Sequence, residues 1–266
     1  MIAARRRKAV SNWPLASVSF ASPRSTMKQR VGKTLRDHLP VSRFLQDQIR
    51  LEMNACFVRC KYSLLPWRWH SLSKVRSRKD IHANVACGPF VLSGFINLDL
   101  FPISPEVFQW DCRWSLPFAD ASCKGIRAEH FVEHLEPREE LPAFLEDCIR
   151  VLQPEGVLRI IVPDAEQYLR AYCGDGASGS AFEGLTTTNP FPRDLPTKMD
   201  VVNHVFHQWH EHRWGYDFEN LARRMMDAGF QAVERTSYGN SRDPQLAKDR
   251  EQHRVYSLYL DAVKGQ

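Results

Sequence analysis

A chain of 266 residues, 43% hydrophobic and 25% charged, has the size and composition of one large α/β domain plus an extension. No stretch approaches 18 consecutive apolar residues, which excludes a helical membrane span. The net charge of +5 is unevenly spread: residues 1–80 hold 18 Lys and Arg against 4 Asp and Glu, and the remainder holds 18 against 27. The main domain is therefore acidic, which argues against a broad nucleic-acid footprint, and nucleic acid is not expected as a partner.

The first 36 residues contain no acid and are rich in Arg, Lys and Ser. Three readings stand: an organelle transit peptide, a signal peptide with a poor apolar region, or an unstructured stretch ahead of a true start at Met27. The expectation is a dispensable leader, with residues 1–33 disordered. Residues 34–62 read as helix, carrying Leu35, Leu39, Phe44, Leu45, Ile49, Met53 and Phe57 at helical spacing. Residues 63–80 read as a linker. Its Trp67-Arg68-Trp69 run is expected to pack on the neighbouring domain, with contact to a membrane surface or to nucleic acid as the competing reading. Together, residues 1–80 form a basic N-terminal extension and residues 81–266 the main domain. Seven scattered cysteines without a C-x2-C pair point to buried thiols in a reducing compartment, and a cytoplasmic location is expected.

From residue 82 strands and helices alternate, the signature of a largely parallel sheet. Strands are expected at 82–86, 95–100, 107–111, 124–128, 157–162, 230–235 and 254–263. Helices are expected at 137–152, from 165 to about 172, and at 217–228 before Gly229. The intervening stretch 174–196 is rich in Gly, Ser, Thr and Pro and reads as a long loop.

Two positions suggest a ligand. Cys87-Gly88-Pro89 ends the first strand, and Gly88 lets a ligand approach the backbone closely. Asp99 ends the second strand, where an acid can accept both hydroxyls of a ribose. The dinucleotide fingerprint G-x-G-x-x-G does not occur at this turn, which argues against a nicotinamide or flavin.

In order and spacing, several motifs then line up. They are Asn84-Val85-Ala86-Cys87-Gly88-Pro89, Gly94-Phe95-Ile96-Asn97-Leu98-Asp99, Asp111 with Leu116-Pro117-Phe118, Glu129-His130-Phe131-Val132-Glu133-His134-Leu135, and Arg150-Val151-Leu152-Gln153-Pro154-Glu155-Gly156. Over residues 81–264 this resembles class I S-adenosylmethionine-dependent methyltransferases, and within them a group associated with glycan-synthesis regions. The resemblance implies a Rossmann-like fold whose mostly parallel, seven-stranded sheet has an antiparallel last strand. S-adenosylmethionine is the implied cofactor. Cys87, Gly88 and Pro89 would line its methionine side, Asp99 would hold the ribose diol, and Asp111 would sit near the adenine amino group with Leu116 beside it. Ala86 and Leu100 flank these positions, and Glu129 and His130 would stand where cofactor and substrate meet. Phe90 and Glu155 depart from the pattern, each replacing a glycine.

Methyl transfer to oxygen or nitrogen needs an aligned nucleophile and a proton acceptor. His134, after the fourth strand, and His212 are the candidate catalytic residues, because imidazole titrates near neutrality. The segment Asn203-His204-x-x-His207-x-x-His210-Glu211-His212 is dense in histidine. With no cysteine near it and Glu211 its one close carboxylate, it reads as a cap over the cleft, and no metal is expected. The reading is thus a methyltransferase acting on a small-molecule or glycan-related acceptor. The alternative is a catalytically silent fold that binds a partner through the basic extension.

Overall fold

The computed structural model describes residues 41–174, 195 and 197–266. The leader expected to be disordered, the start of the helix expected at 34–62, and most of the polar stretch 174–196 lie outside them. The chain divides into two compact units, Met1–Ile49 and Arg50–Gln266.

Helix α1 (Arg43–Leu64) runs on into α2 (Pro66–Arg76) after one residue. The expected linker is thus largely helical. Pro66 stands in the first turn, where a missing N–H costs nothing, and Leu72 and Val75 are buried. The apolar stripe expected of α1 does not pack as read: Met53 and Phe57 are 66% and 62% exposed. Instead Ala55, Val58 and Tyr62 are buried, and the Tyr62 ring lies 5.3 Å from Phe108 and 5.2 Å from Trp110.

Seven strands follow: β1 (Ile81–Val85), β2 (Ile96–Asp99), β3 (Val107–Gln109), β4 (Cys123–Glu129), β5 (Leu152–Pro163), β6 (Ala232–Arg235) and β7 (Ser257–Val263). Their order is β3-β2-β1-β4-β5-β7-β6. β7 runs antiparallel to both β5 and β6, and the pairings from β3 to β5 are all parallel. β5 is central, and Val157 to Pro163 are buried without a break, as a strand covered on both faces requires.

Helix α3 (Glu140–Val151) buries Leu141, Phe144, Leu145, Cys148 and Val151, one stripe at helical spacing, against the sheet. Helices α4 (Ala165–Cys173) and α5 (Lys198–His207) pack together through Tyr168, Ala171, Val201 and Val205. α5 opens on a reciprocal capping box between Thr197 and Asp200. Helix α6 (Phe218–Asp227) starts at the Asp217 cap and buries Leu221 and Met225.

The sheet centre is not wholly apolar. Cross-strand neighbours Asn97, Asn84, Arg127, Arg159 and Asp261 form one polar row from β2 to β7, all buried. The guanidinium of Arg159 is satisfied by Asp261 at 2.8 Å and Asp249 at 2.7 Å. Asp249 and its neighbours belong to the segment between β6 and β7, so charge pairing draws that segment onto the sheet.

No described helix is long and apolar enough to cross a membrane.

Candidate functional site

The carboxyl ends of β1 and β2 form a turn and an acid in direct contact. The Gly88 N–H donates to Asp99 Oδ2 at 2.8 Å, and the Phe101 N–H donates to Oδ1 at 2.8 Å. Gly88 has φ +50°, and a Cβ built there would meet nothing within 4 Å. The space before the turn is therefore open, and the conformation suits glycine. Ala86, one turn earlier, also has φ +50°. An ionised carboxylate offers about four lone-pair sites, so two backbone donors leave Asp99 capacity for a diol. Burial raises the Asp99 pKa, only partly opposed by the Phe101 and Gly88 N–H groups.

No helix separates β1 from β2. Side-chain amides hold the short connection instead. Asn84 donates to the Phe90 carbonyl at 2.8 Å and to Asn97 Oδ1 at 2.9 Å, while Asn97 exchanges hydrogen bonds with the Leu92 backbone. Phe90, which replaces the expected glycine, lies between the guanidinium groups of Arg127 at 5.3 Å and Arg250 at 5.6 Å.

The remaining cofactor candidates are placed as follows. Cys87 is buried, its thiol pushed up to about 12 by burial first and the Asp99 charge second. Pro89 is exposed, and Leu100 packs at the core margin. Leu116 is buried, and its N–H donates to Asp147. Asp111 is buried, and its carboxylate is taken up by Arg59 of α1 at 2.6 Å and Arg113 at 3.1 Å. The Asp111 carboxylate is thus committed within the protein and not left free for a ligand's amino group.

At the end of β4 the side chains bind one another. Glu129 pairs with Arg127 and accepts from His253 Nδ1 at 2.8 Å. Burial opposes its charge, but His253 and Arg127 outweigh burial and hold its pKa below the ordinary glutamate value. His130, at φ +53°, bonds Ser257 at 3.0 Å and lies 3.9 Å, ring to ring, from His253. Burial, reinforced by His253, keeps it neutral.

The two catalytic candidates come together. His134 ends a 3-10 turn (Val132–His134), and His212 follows α5; their ring centroids are 4.9 Å apart. The Arg213 and Trp214 N–H groups both donate to the Glu133 carbonyl, at 2.7 and 3.3 Å, tying the two segments together. Each imidazole faces a backbone carbonyl through Nδ1: His134 that of Glu211 at 3.0 Å, and His212 that of Val205 at 2.6 Å. A carbonyl only accepts, so Nδ1 carries the proton in both and each Nε2 keeps its lone pair. Burial lowers both pKa values, that of His212 to about 3.

Beside them Glu133 is 1% exposed, and neither carboxylate oxygen takes part in a hydrogen bond. His130 Nδ1 stands 3.4 Å from Oε1 without hydrogen-bonding geometry. Burial, chiefly, lifts the Glu133 pKa to about 8. Sequence reasoning gave Glu133, His253 and Ser257 no role. The doubled dipeptide Glu129-His130 and Glu133-His134 was the one signal available for Glu133.

Residues 99–160 match the family model described as "Methyltransferase domain". No curated protein matches the chain. Among solved structures, a SAM-dependent methyltransferase from Archaeoglobus fulgidus shares 15% identity at a TM-score of 0.42, covering 74% of this chain and 91% of its own. An S-adenosylmethionine-dependent methyltransferase from Mesorhizobium loti shares 13% at 0.40, covering 74% and 97%. Likeness at this level carries no argument, and the assignment rests on the strand order and the matched segment. The strand order is that of a Rossmann-like sheet, and the matched segment, from the end of β2 into β5, is similar to a methyltransferase domain. The open Gly88 turn beside the spare acceptor capacity of Asp99 offers room and acceptors for a ribose diol, as an S-adenosylmethionine site needs.

Proposed function

We propose that the chain transfers a methyl group from S-adenosylmethionine to an oxygen or nitrogen of a small-molecule or glycan-related acceptor. The acceptor's lone pair bonds the methyl carbon as the carbon–sulfur bond breaks, and the bonding electrons pass to sulfur. The enzyme's task is alignment and removal of one proton.

The reading is carried by the contact between the Gly88 N–H and the Asp99 carboxylate at the edge of an open turn. For the proton, His134 offers a neutral imidazole with a fixed tautomer and an unprotonated Nε2, and His212 a second Nε2 that burial makes a weaker base. The acceptor class rests on the resemblance of the motifs across residues 81–264 to the group associated with glycan synthesis.

Calorimetric titration with S-adenosylmethionine tests the cofactor half: the wild type binds, and Asp99→Ala binds more weakly. Equal binding by both, or none by the folded wild type, overturns it. Transfer of labelled methyl into a fractionated extract tests the acceptor half, and the chemistry of the labelled product names the class.

A further inference from the structure

We infer that Glu133, His134 and His212 form a binding site for a first-row divalent cation such as Zn2+. One ligand atom from each lies within 4.8 Å of the other two. A point within about 2.8 Å of all three therefore exists, against the roughly 2.0–2.2 Å of zinc–nitrogen and zinc–oxygen bonds, so binding would draw the three groups inward by less than about 1 Å.

The donor chemistry fits. Two imidazoles and one carboxylate are the three protein ligands of several catalytic zinc centres, and they suit cobalt and iron(II) as well. Both rings are already arranged as metal-binding histidines are. Nδ1 is spent on a backbone carbonyl, which fixes the ring and presents the Nε2 lone pair. Glu133 supplies the independent observation. Its carboxyl group is 1% exposed and neither oxygen is hydrogen-bonded, an unsatisfied buried polar group that a cation would satisfy by displacing the acid proton. Its backbone is locked by Arg213 and Trp214, so the side chain stays beside His212.

The site does not depend on the methyltransferase reading. If both hold, the cation takes the Nε2 lone pairs in place of their role as proton acceptors, and an acceptor hydroxyl bound in an open coordination position would pass its proton to solvent water, its acidity raised as that of metal-bound water is.

Cobalt is the probe. The full chain, freed of metal by chelation, is titrated with Co2+ and followed by absorption and calorimetry. We expect one Co2+ per chain, with d–d bands and no thiolate charge-transfer band. Affinity falls at least tenfold in Glu133→Gln and in His212→Ala, and is unchanged in a Cys56→Ser/Cys60→Ser control. Circular dichroism and S-adenosylmethionine titration of each variant show that it is folded, and they report separately on the cofactor site. No uptake by the wild type overturns the inference. So does uptake that survives Glu133→Gln and His212→Ala, uptake lost with Cys56 and Cys60, or uptake lost in His204→Ala/His207→Ala alone.

Discussion

Asp99 and Glu129 end neighbouring parts of the same sheet edge, both are acids, and both are largely withdrawn from water, yet their environments drive them apart. Asp99 meets only two backbone N–H groups, burial prevails, and its pKa rises. Glu129 meets Arg127 and His253, which overcome burial, and its pKa falls. The first carboxylate is held short of satisfaction beside open space; the second is consumed within the protein. On the proposed function the first receives the cofactor's ribose, while the second holds the sheet to the segment that carries His253.

That contrast fails if substitution at Glu129 leaves stability untouched. Glu129→Ala strands the buried Arg127 guanidinium and is expected to cost about 3–5 kcal/mol, read from denaturant unfolding. Asp99→Ala has the opposite profile. Losing a charge-assisted contact to the ribose is expected to weaken S-adenosylmethionine binding by about 1.5–3 kcal/mol, roughly 10- to 150-fold, with unfolding little changed. A large loss of stability at Asp99, or of cofactor affinity in a folded Glu129→Gln, would merge the two roles.

Acidification sharpens the same difference. If Asp99 holds the ribose as proposed, its ionised form binds best, so cofactor affinity is expected to decline as pH falls through a pKa that burial has raised above 3.8. The sign for stability is reversed: the unfolded chain gives up this proton first, so Asp99 lowers stability as pH rises through that same window. Glu129, with its pKa lowered from 4.5, contributes stability that is lost as pH falls through its folded value. Titrating wild type and Asp99→Asn by calorimetry isolates the first effect, which the variant should lack.

How much of this was legible in the sequence follows from how local each signal is. β5 announces itself through the unbroken apolar run of residues 157–162, and Asp99 through its place one strand beyond a glycine turn. α2 has a weak sequence signal because Pro66 and the basic run after it resemble a linker, although a proline is at home in a helix's first turn. The buried face of α1 is not the one its larger apolar residues mark: Met53 and Phe57 are exposed, whereas Val58 is buried and Tyr62 packs on Phe108 of β3 and on Trp110. Asp111 was legible as an acid after β3, but its capture by Arg59, 52 residues away, was not. Glu133, His134 and His212 meet only in three dimensions, and the carbonyls of Val205 and Glu211 that fix the imidazoles are backbone atoms without a sequence signature.

Glu155 offers the smallest and most pointed test. It replaces a glycine of the family pattern, and that departure set binding against a silent fold. The residue adopts φ +63° where β5 bulges between its pairings at Leu152 and Val157. This is the amino end of the strand, opposite the edge that holds Asp99, so the departure bears on strain rather than on the cofactor. An L-residue in the left-handed region costs about 1–2 kcal/mol relative to glycine, part of which glycine returns through its freer unfolded chain. The side chain gives up little, since its hydrogen bond from Gln266 is long at 3.4 Å and exposed. Glu155→Gly should therefore raise stability by about 0.5–1 kcal/mol, seen as a higher urea midpoint, with S-adenosylmethionine affinity unchanged. A shift in cofactor affinity would instead couple the two ends of β5 and bring this substitution back into the question of activity.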